Sequence, residues 1–390
     1  MIDVPTSGEV SWLGVMSGTS GDGIDVARVT IDERPEGPQV RSVEGTTLPF
    51  SAPLAARLSR ALPSEGSYAA ASRWHAELGD EFADAAAEAI ARFGEVSGIV
   101  ISGQTFAHHP TEVPRHTLQL GCPHRVARAT GVPVLFDLRT TDIAQGGEGA
   151  PLVPAGDRVL FGDLADRVAV VNIGGISNVT VLSRDSDPAA ADAGPGNLIL
   201  NALYRDAFPD RGSDAFDRDG EMACRGTVET SALAAWGQAL RATGEHGVRR
   251  SYGREELGER WVRHRPRESR SIEDQLATVA AWIAVEILET IDLLSADRRP
   301  DRILVGGGGA RHRRILQELE RRSDSPVEPL EAAKHGVSAE LREAAAFAIL
   351  AHERAYGRPL AFPTTTGVPT PVSLGVWAPG STVDSPPRDS

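Results

Sequence analysis

Trp12-Leu13-Gly14-Val15-Met16-Ser17-Gly18-Thr19-Ser20-Gly21-Asp22-Gly23-Ile24-Asp25-Val26-Ala27-Arg28-Val29-Thr30-Ile31 reads as strand, polar glycine turn, strand. The flanks Trp12–Val15 and Val26–Ile31 are apolar or alternating, and Gly, Ser, Thr and Asp fill the gap, the pattern of a β-hairpin. The same grammar returns at Val168–Val171, which meets Asn172-Ile173-Gly174-Gly175 and continues as Val179–Leu182. A third β-branched run, Ile303-Leu304-Val305, enters Gly306–Gly309 and then a helical pattern from Arg313 to Glu320. Strands interleaved with helices predict an α/β fold with a largely buried sheet.

Three helices are readable by period. Trp74, Leu78, Phe82, Ala85 and Ala89 make one apolar stripe, with Glu77, Asp80, Glu81 and Asp84 off it. Leu276, Val279, Ile283, Ile287 and Ile291 do the same in a longer apolar helix beginning near Asp274, and Glu340–Glu353 is alanine-rich. The first and last are expected to lay one face on a sheet and the middle one to be buried nearly all round. Thr130-Gly131-Val132-Pro133 precedes a new strand, Val134–Phe136, so a domain break is expected there. The Thr- and Pro-rich stretch 364–371 is expected to return the chain to the first domain, giving 1–130 with about 364–380, and 131–363. The polar tail 381–390 is expected to be disordered.

With 390 residues, 41% of them apolar and 24% charged, the chain is long enough for two domains and buries real cores. Its net charge of −14 argues against nucleic acid as a partner, because a polyphosphate needs a basic face. Acidity overall leaves room for a compact cationic pocket, so a nucleotide substrate is not excluded. Two cysteines, Cys122 and Cys224, make no disulfide framework. No stretch approaches the ~18–20 apolar residues of a membrane span, and Met1 to Glu9 lacks a signal-peptide pattern. The expectation is a cytoplasmic protein without a membrane partner.

Chemistry concentrates at the glycine turns. Gly18, Gly21 and Gly23 let backbone approach a ligand, their N–H groups can form an anion nest, and Thr19 and Ser20 add hydroxyls. Asp22 and Asp25 beside a triphosphate make sense through Mg²⁺ and its waters. An ordinary tight turn explains the decapeptide as well, and no Walker lysine follows. Gly174-Gly175 with Asn178, and Gly306, Gly307, Gly308 and Gly309, offer two more such places; together the three fit a nucleotide in a cleft between two similar halves. Asp192 before Gly194-Pro195-Gly196-Asn197 is a carboxylate beside a rigid turn, suited to a general base; the bland alternative is a solvated Asp192 and a helix cap by Asn197. Asp137, Arg139 and Asp142 before Gly146-Gly147-Glu148-Gly149 read as a substrate wall or an exposed loop. His108 and His109 are not spaced with other ligands as a zinc site would be. Glu343 on the alanine-rich helix reads, by pattern alone, as a solvated charge.

At these residues the chain resembles the anhydro-N-acetylmuramic acid kinases, of the sugar kinase, heat-shock ATPase and actin superfamily. The likeness runs from about Gly14 to Trp377. Its ordered motifs are Met16–Asp25, Gly103-Gln104-Thr105 with His108 and Pro110, Thr117–Gly121, Asp137-Leu138-Arg139, Asp142-Ile143-Ala144, and Gly149–Pro154. They continue with Asn172–Asn178, Gly194–Asn197, Gly253-Arg254-Glu255, Gly306–Gly308, and Glu343-Ala344 with Phe347-Ala348. The resemblance implies two ribonuclease-H-like domains with ATP and Mg²⁺ in the cleft, usually in a homodimer. It implies a sugar kinase that opens a 1,6-anhydro bridge by water attack and phosphorylates O6 in one passage.

In that scheme Asp192 matches the base, and Gly18, Thr19, Ser20, Gly21, Asp22, Gly23, Ile24 and Asp25 the β/γ-phosphate loop, Asp22 and Asp25 reaching the metal through water. Gly174, Gly175 and Asn178 match a second phosphate loop and Gly306–Gly309 the adenosine loop. Gln104, Thr105, His108, Arg139, Asn197 and Glu343 match positions toward the sugar. Departures from the family pattern are Ser102 for His, Cys122 for Asp, Glu148 for Gln, Ala193 for Thr, Arg250 for Lys, Tyr252 for Thr and His312 for Asn. Lost hydrogen-bonding partners shift specificity strongly, so an alternative is a kinase of another bicyclic sugar or sugar nucleoside, without bridge hydrolysis. A third reading is an inactive nucleotide-binding scaffold, against which Asp22, Asp25 and Asp192 speak.

Overall fold

The structure, a computed structural model, describes residues 4–380 except 19–20, 22, 62–66, 213, 244–256, 259–260, 263–270, 296–297 and 334–336. The expected tail 381–390 lies outside the described residues. The chain divides into two compact units, Met1–Leu160 with Glu340–Ser390, and Phe161–Ala339.

In the first unit, β1 (Gly8–Met16), β2 (Ile24–Glu33) and β3 (Gln39–Leu48) form an antiparallel meander. The strand β4 (Gly98–Ile101) adds in parallel to β1. After a separate hairpin of β5 (Gln104–His109) and β6 (His116–Leu120), β7 (Val134–Phe136) pairs in parallel with β4, and Val376–Ala378 closes the edge antiparallel to β7. The second unit repeats the plan. Strands β8 (Arg167–Ile173), β9 (Ile176–Ser183) and β10 (Ser186–Pro195) are an antiparallel meander, and β11 (Arg302–Gly306) and then β12 (Val327–Pro329) join β8 in parallel. With strands ranked within their own sheet, each unit runs 3-2-1-4-5, and the first adds Val376–Ala378 as a sixth strand at the edge. The protein is thus α/β, with two ribonuclease-H-like domains.

The expected domain bounds shift for a physical reason. Val134–Phe136 finds its hydrogen-bond partners on β4 and Val376–Ala378, so it belongs to the first sheet and not to a new domain. The alanine-rich helix Arg342–Ala355 also returns earlier than expected, because it packs on β1 and β2. Its expected single buried face is instead burial of nearly the whole helix, including Ala344–Glu353.

That helix lies on the sheet backbone to backbone. A Cβ on Gly14 would stand 1.9 Å from the Ala344 carbonyl oxygen, and one on Gly156 2.6 Å from Ala346 Cα. Alanines on the helix and glycines beneath it are what this spacing allows. A buried Arg342–Asp157 pair, with Nε donating to Oδ1 at 2.9 Å, anchors the start of the helix. Toward its other end the His352 ring meets Glu33 of β2 at 2.9 Å.

On the opposite face of the first sheet, Leu13, Val15, Ile24 and Val26 pack with Leu78, Phe82, Ala85 and Ala89 of the helix Tyr68–Phe93, the stripe expected from its period. In the second unit the helix Ile272–Leu294, whose N-cap Ser271 accepts from the Asp274 N–H, is buried nearly all round against β9 and β10. Burial of this kind is worth roughly 25 cal/mol per Å² of apolar surface. It is the main force holding each sheet to its helices.

Gly14→Ala is expected to destabilise the protein by about 1–3 kcal/mol or more through overpacking. Denaturant unfolding beside the wild type checks this; an unchanged midpoint would mean that strand and helix do not approach so closely.

Candidate active site

The turn between β1 and β2 is held from behind. The Ser17 N–H donates to Ser102 Oγ at 3.2 Å, and the Ser17 hydroxyl donates to Gln104 Oε1 at 2.6 Å. Gln104 Nε2 then donates to the Gly18 carbonyl at 3.1 Å, and that carbonyl also receives the Gly21 N–H at 3.1 Å. Gln104 is fully buried, and its amide is spent on the turn. Ser102, the residue in place of a histidine, likewise serves the turn and donates to the Gly103 carbonyl. Asp25 opens β2, half-buried, and accepts from the Thr47 hydroxyl at 2.5 Å. Thr19, Ser20 and Asp22 lie outside the described residues.

Also in the first unit, β5 and the loop 146–149 bring His108 and Arg139 together around Gly149. Arg139 Nη1 donates to the Gly149 carbonyl at 2.9 Å, and Asp142 Oδ2 accepts the Gly149 N–H at 2.6 Å. Asp142 is fully buried and takes the Thr366 hydroxyl on its other oxygen at 2.7 Å. A Cβ on Gly147 would sit 2.1 Å from that carboxylate, and one on Gly149 (φ +75°) 3.1 Å from His108 Cε1. Burial raises the Asp142 pKa, against the two hydrogen bonds and Arg139. Burial lowers that of Arg139, against Glu343 and Asp142. Glu343, exposed in the first turn of its helix, thus lies within electrostatic reach of Arg139.

The Thr117 hydroxyl donates to the Ala107 carbonyl and stands 3.1 Å from His108 Nδ1. Its proton is therefore committed, so Nδ1–H is the donor and Nε2 carries the lone pair. Burial, then Arg139 and His109, push the His108 pKa down to about 4. Thr105, on the same hairpin, accepts from Gln119 Nε2 at 3.4 Å.

In the second unit three glycine turns converge at the carboxyl ends of β8 and β11, where ligands of open α/β sheets sit. The N–H groups of Asn197 and Leu198, which begin the helix Asn197–Ala207, donate to the carbonyls of Gly174 and Gly175 at 2.9 and 3.1 Å. Asn197 Nδ2 donates to the Ile173 carbonyl at 3.3 Å, so Asn197 is the first helical residue; the cap is Gly196. A Cβ on Gly196 would stand 2.7 Å from both turn carbonyls. Gly307 (φ +82°) and Gly309 press on Asn172 and Ile173, and Gly308 faces Asn197 Nδ2.

Asp192 lies not in a loop but on β10, paired with Asn178 of β9, two residues before Gly194. It is half-buried, while its neighbour Ala193 is in the core. His312 caps the helix Arg313–Arg322, its Nδ1 accepting the Ile315 N–H at 3.4 Å, work that an asparagine does equally well. Cys122 starts the helix Pro123–Thr130 without a side-chain cap and packs on Gly79. Several departures from the family pattern therefore sit in structural roles. Arg250, Tyr252 and Gly253-Arg254-Glu255 lie outside the described residues.

The family model described as anhydro-N-acetylmuramic acid kinase matches residues 10–380. The chain belongs to the anhydro-N-acetylmuramic acid kinase family. A Rhodospirillum rubrum protein of that description is 37% identical over 383 residues, covering 97% of this chain and 96% of the relative. One from Gloeobacter violaceus is 35% identical over 381 residues, covering 93% and 97%. Among solved structures, a ROK family glucokinase from Streptomyces griseus in complex with glucose and AMPPNP is similar at 13% identity and a TM-score of 0.37, covering 88% of this chain and 99% of that one. This kinase is an ATP-dependent enzyme acting on a small sugar. Among the described residues no helix is long and apolar enough to cross a membrane.

Because His108 stays neutral in the fold down to about pH 4, the unfolded chain, with its histidine near 6.5, takes up the proton first on acidification. Stability from this residue is present above pH 6.5 and is lost as pH falls toward 4. Unfolding titrations should show a smaller loss between those pH values for His108→Gln than for the wild type; equal losses would contradict the assignment.

Proposed function

We propose that this kinase opens the 1,6-anhydro bridge of anhydro-N-acetylmuramic acid and phosphorylates the O6 so released. The observation that carries the reading is the grouping, at one end of the second unit's sheet, of Asp192 with the turns 174–175, 194–197 and 306–309. A half-buried carboxylate fixed on a paired strand supports this reading, because a general base has to be held in one geometry. That the relatives are named as kinases of anhydro-N-acetylmuramic acid supports the choice of sugar.

In this scheme Asp192 takes a proton from water as the water oxygen bonds to the anomeric carbon. The bond from that carbon to the bridging oxygen breaks, and the freed O6 attacks the γ-phosphorus of ATP, releasing ADP. The turn Gly18–Asp25 holds the β- and γ-phosphates through its N–H groups, Gly174, Gly175 and Asn178 form the second phosphate loop, and Gly306–Gly309 lie against adenosine. Mg²⁺ takes oxygen ligands and keeps several waters; Asp25, a carboxylate at the end of the turn, fits that chemistry, with Asp22 beside it in sequence. Bound there, the ion would neutralise charge on the phosphates.

Thr105, His108, Arg139, Asn197 and Glu343 are assigned the polar contacts to the sugar. Gln104 acts through the turn that it holds. Asp142 acts through Gly149, and so sets Arg139. Ser102, which serves the turn, weakens the case for a different acceptor. The family's homodimer is carried over as well, and light scattering should then give about twice the 41.4 kDa chain mass.

Turnover in heavy-oxygen water should place the label on the anomeric hydroxyl of the phosphorylated product. Unlabelled phosphorylated product, or phosphorylation only of some other sugar, would overturn the bridge-opening step. Asp192→Asn should lower kcat by on the order of 10²–10⁴-fold while calorimetric ATP affinity stays nearly unchanged. An active Asp192→Asn enzyme would remove the base from the scheme.

A further inference from the structure

We propose that His109, Glu112 and His116 form a binding site for one divalent transition ion, of the Zn²⁺ or Ni²⁺ type, at the closed end of the β5–β6 hairpin. Spacing along the chain hides this group, since histidines seven apart match no helical zinc pattern. The hairpin register sets His109 directly opposite His116. Their rings stand 4.7 Å apart, centre to centre, at 28°. Glu112, from the turn, brings Oε1 to 3.0 Å from His109 Nδ1. One ligand atom from each of the three lies within 4.8 Å of the others.

The His116 tautomer suits the task. His116 Nδ1 is 2.9 Å from the Pro114 carbonyl, which can only accept, so the proton is on Nδ1 and Nε2 keeps its lone pair. A backbone carbonyl on the other ring nitrogen is the usual outer-sphere support of a metal-bound histidine. An ion about 2.0–2.2 Å from an imidazole nitrogen and a carboxylate oxygen holds the two roughly 3–3.5 Å apart. The His109–Glu112 separation already has that value, so an ion replaces their mutual contact with little movement, the His109 proton passing from Nδ1 to Nε2 through solvent. Two imidazoles and one carboxylate select zinc-like ions over Mg²⁺ or Ca²⁺.

Arg115, next to His116 in sequence, has its Nη1 engaged as donor to the Gly146 carbonyl at 3.1 Å. Strand pairing back to Gln104 and Leu120 pre-sets the ligands, which reduces the ordering cost of binding. His109, Glu112 and His116 are all exposed, so the ion would keep open positions for water and exchange with solvent. One residue inward on the two strands are His108 and Thr117, which the ion would tie together from the end of the hairpin.

The test is calorimetric titration of Zn²⁺ into the untagged full chain near pH 7.5. One saturable site is expected, weakened at least about 10–100-fold, the loss that even an outer-sphere partner causes, in His109→Ala and in His116→Ala. Glu112→Gln should weaken it as well, whereas His124→Ala and Cys224→Ser should leave it unchanged. Circular dichroism confirms that each variant is folded. No stoichiometric uptake by the wild type, or equal affinity in the His109→Ala/His116→Ala double variant, would overturn the site. The readout is metal uptake and not turnover, so it stands apart from the sugar chemistry.

Discussion

Close approach of backbone to backbone, possible only where no Cβ intervenes, is the constraint on which the rest of this structure depends. In the first unit Gly14 lets the helix Arg342–Ala355 rest its Ala344 carbonyl directly on β1. In the second, Gly196, Gly307 and Gly309 press on the carbonyls and side chains of residues 172–175. The same property therefore builds the core of one unit and the cluster of glycine turns at one end of the other's sheet. A turn assembled in this way presents main-chain atoms, which carry fixed dipoles and need no rotamer to be frozen on binding.

Behind these turns stand side chains whose polar atoms are already engaged. Gln104 spends its amide on Ser17 and Gly18, and Asp142 spends both oxygens on Gly149 and Thr366. Buried polar groups of this kind cost stability unless satisfied, and when satisfied they hold one geometry. Supporting residues of this sort explain how glycine-rich loops, flexible by composition, are held in place. They also show why a motif residue need not touch a ligand to matter.

Much of the architecture could be read from period and punctuation. The hairpins around Gly18 and Gly174, the stripe Leu78–Ala89 and the buried helix around Ile283 follow from local patterns that the fold obeys. The domain boundary was harder. Val134–Phe136 follows a loop that looks like a linker, but three residues form a strand only where a neighbour offers hydrogen bonds, and β4 does so. The near-total burial of the alanine-rich helix was likewise hidden, because alanine is neutral to periodicity and its partner, Gly14, is more than three hundred residues away.

By itself the sequence determined the α/β class, the three glycine turns and the membership of a kinase family, since these rest on short ordered motifs. Only the tertiary structure decided that Asp192 rides on a paired strand beside Asn178, that Gln104 faces the turn, and that His312 caps a helix. It alone set His109 against His116. The reason is physical: motifs record which atoms are present, whereas pairing register and burial decide which atoms meet and which remain to act.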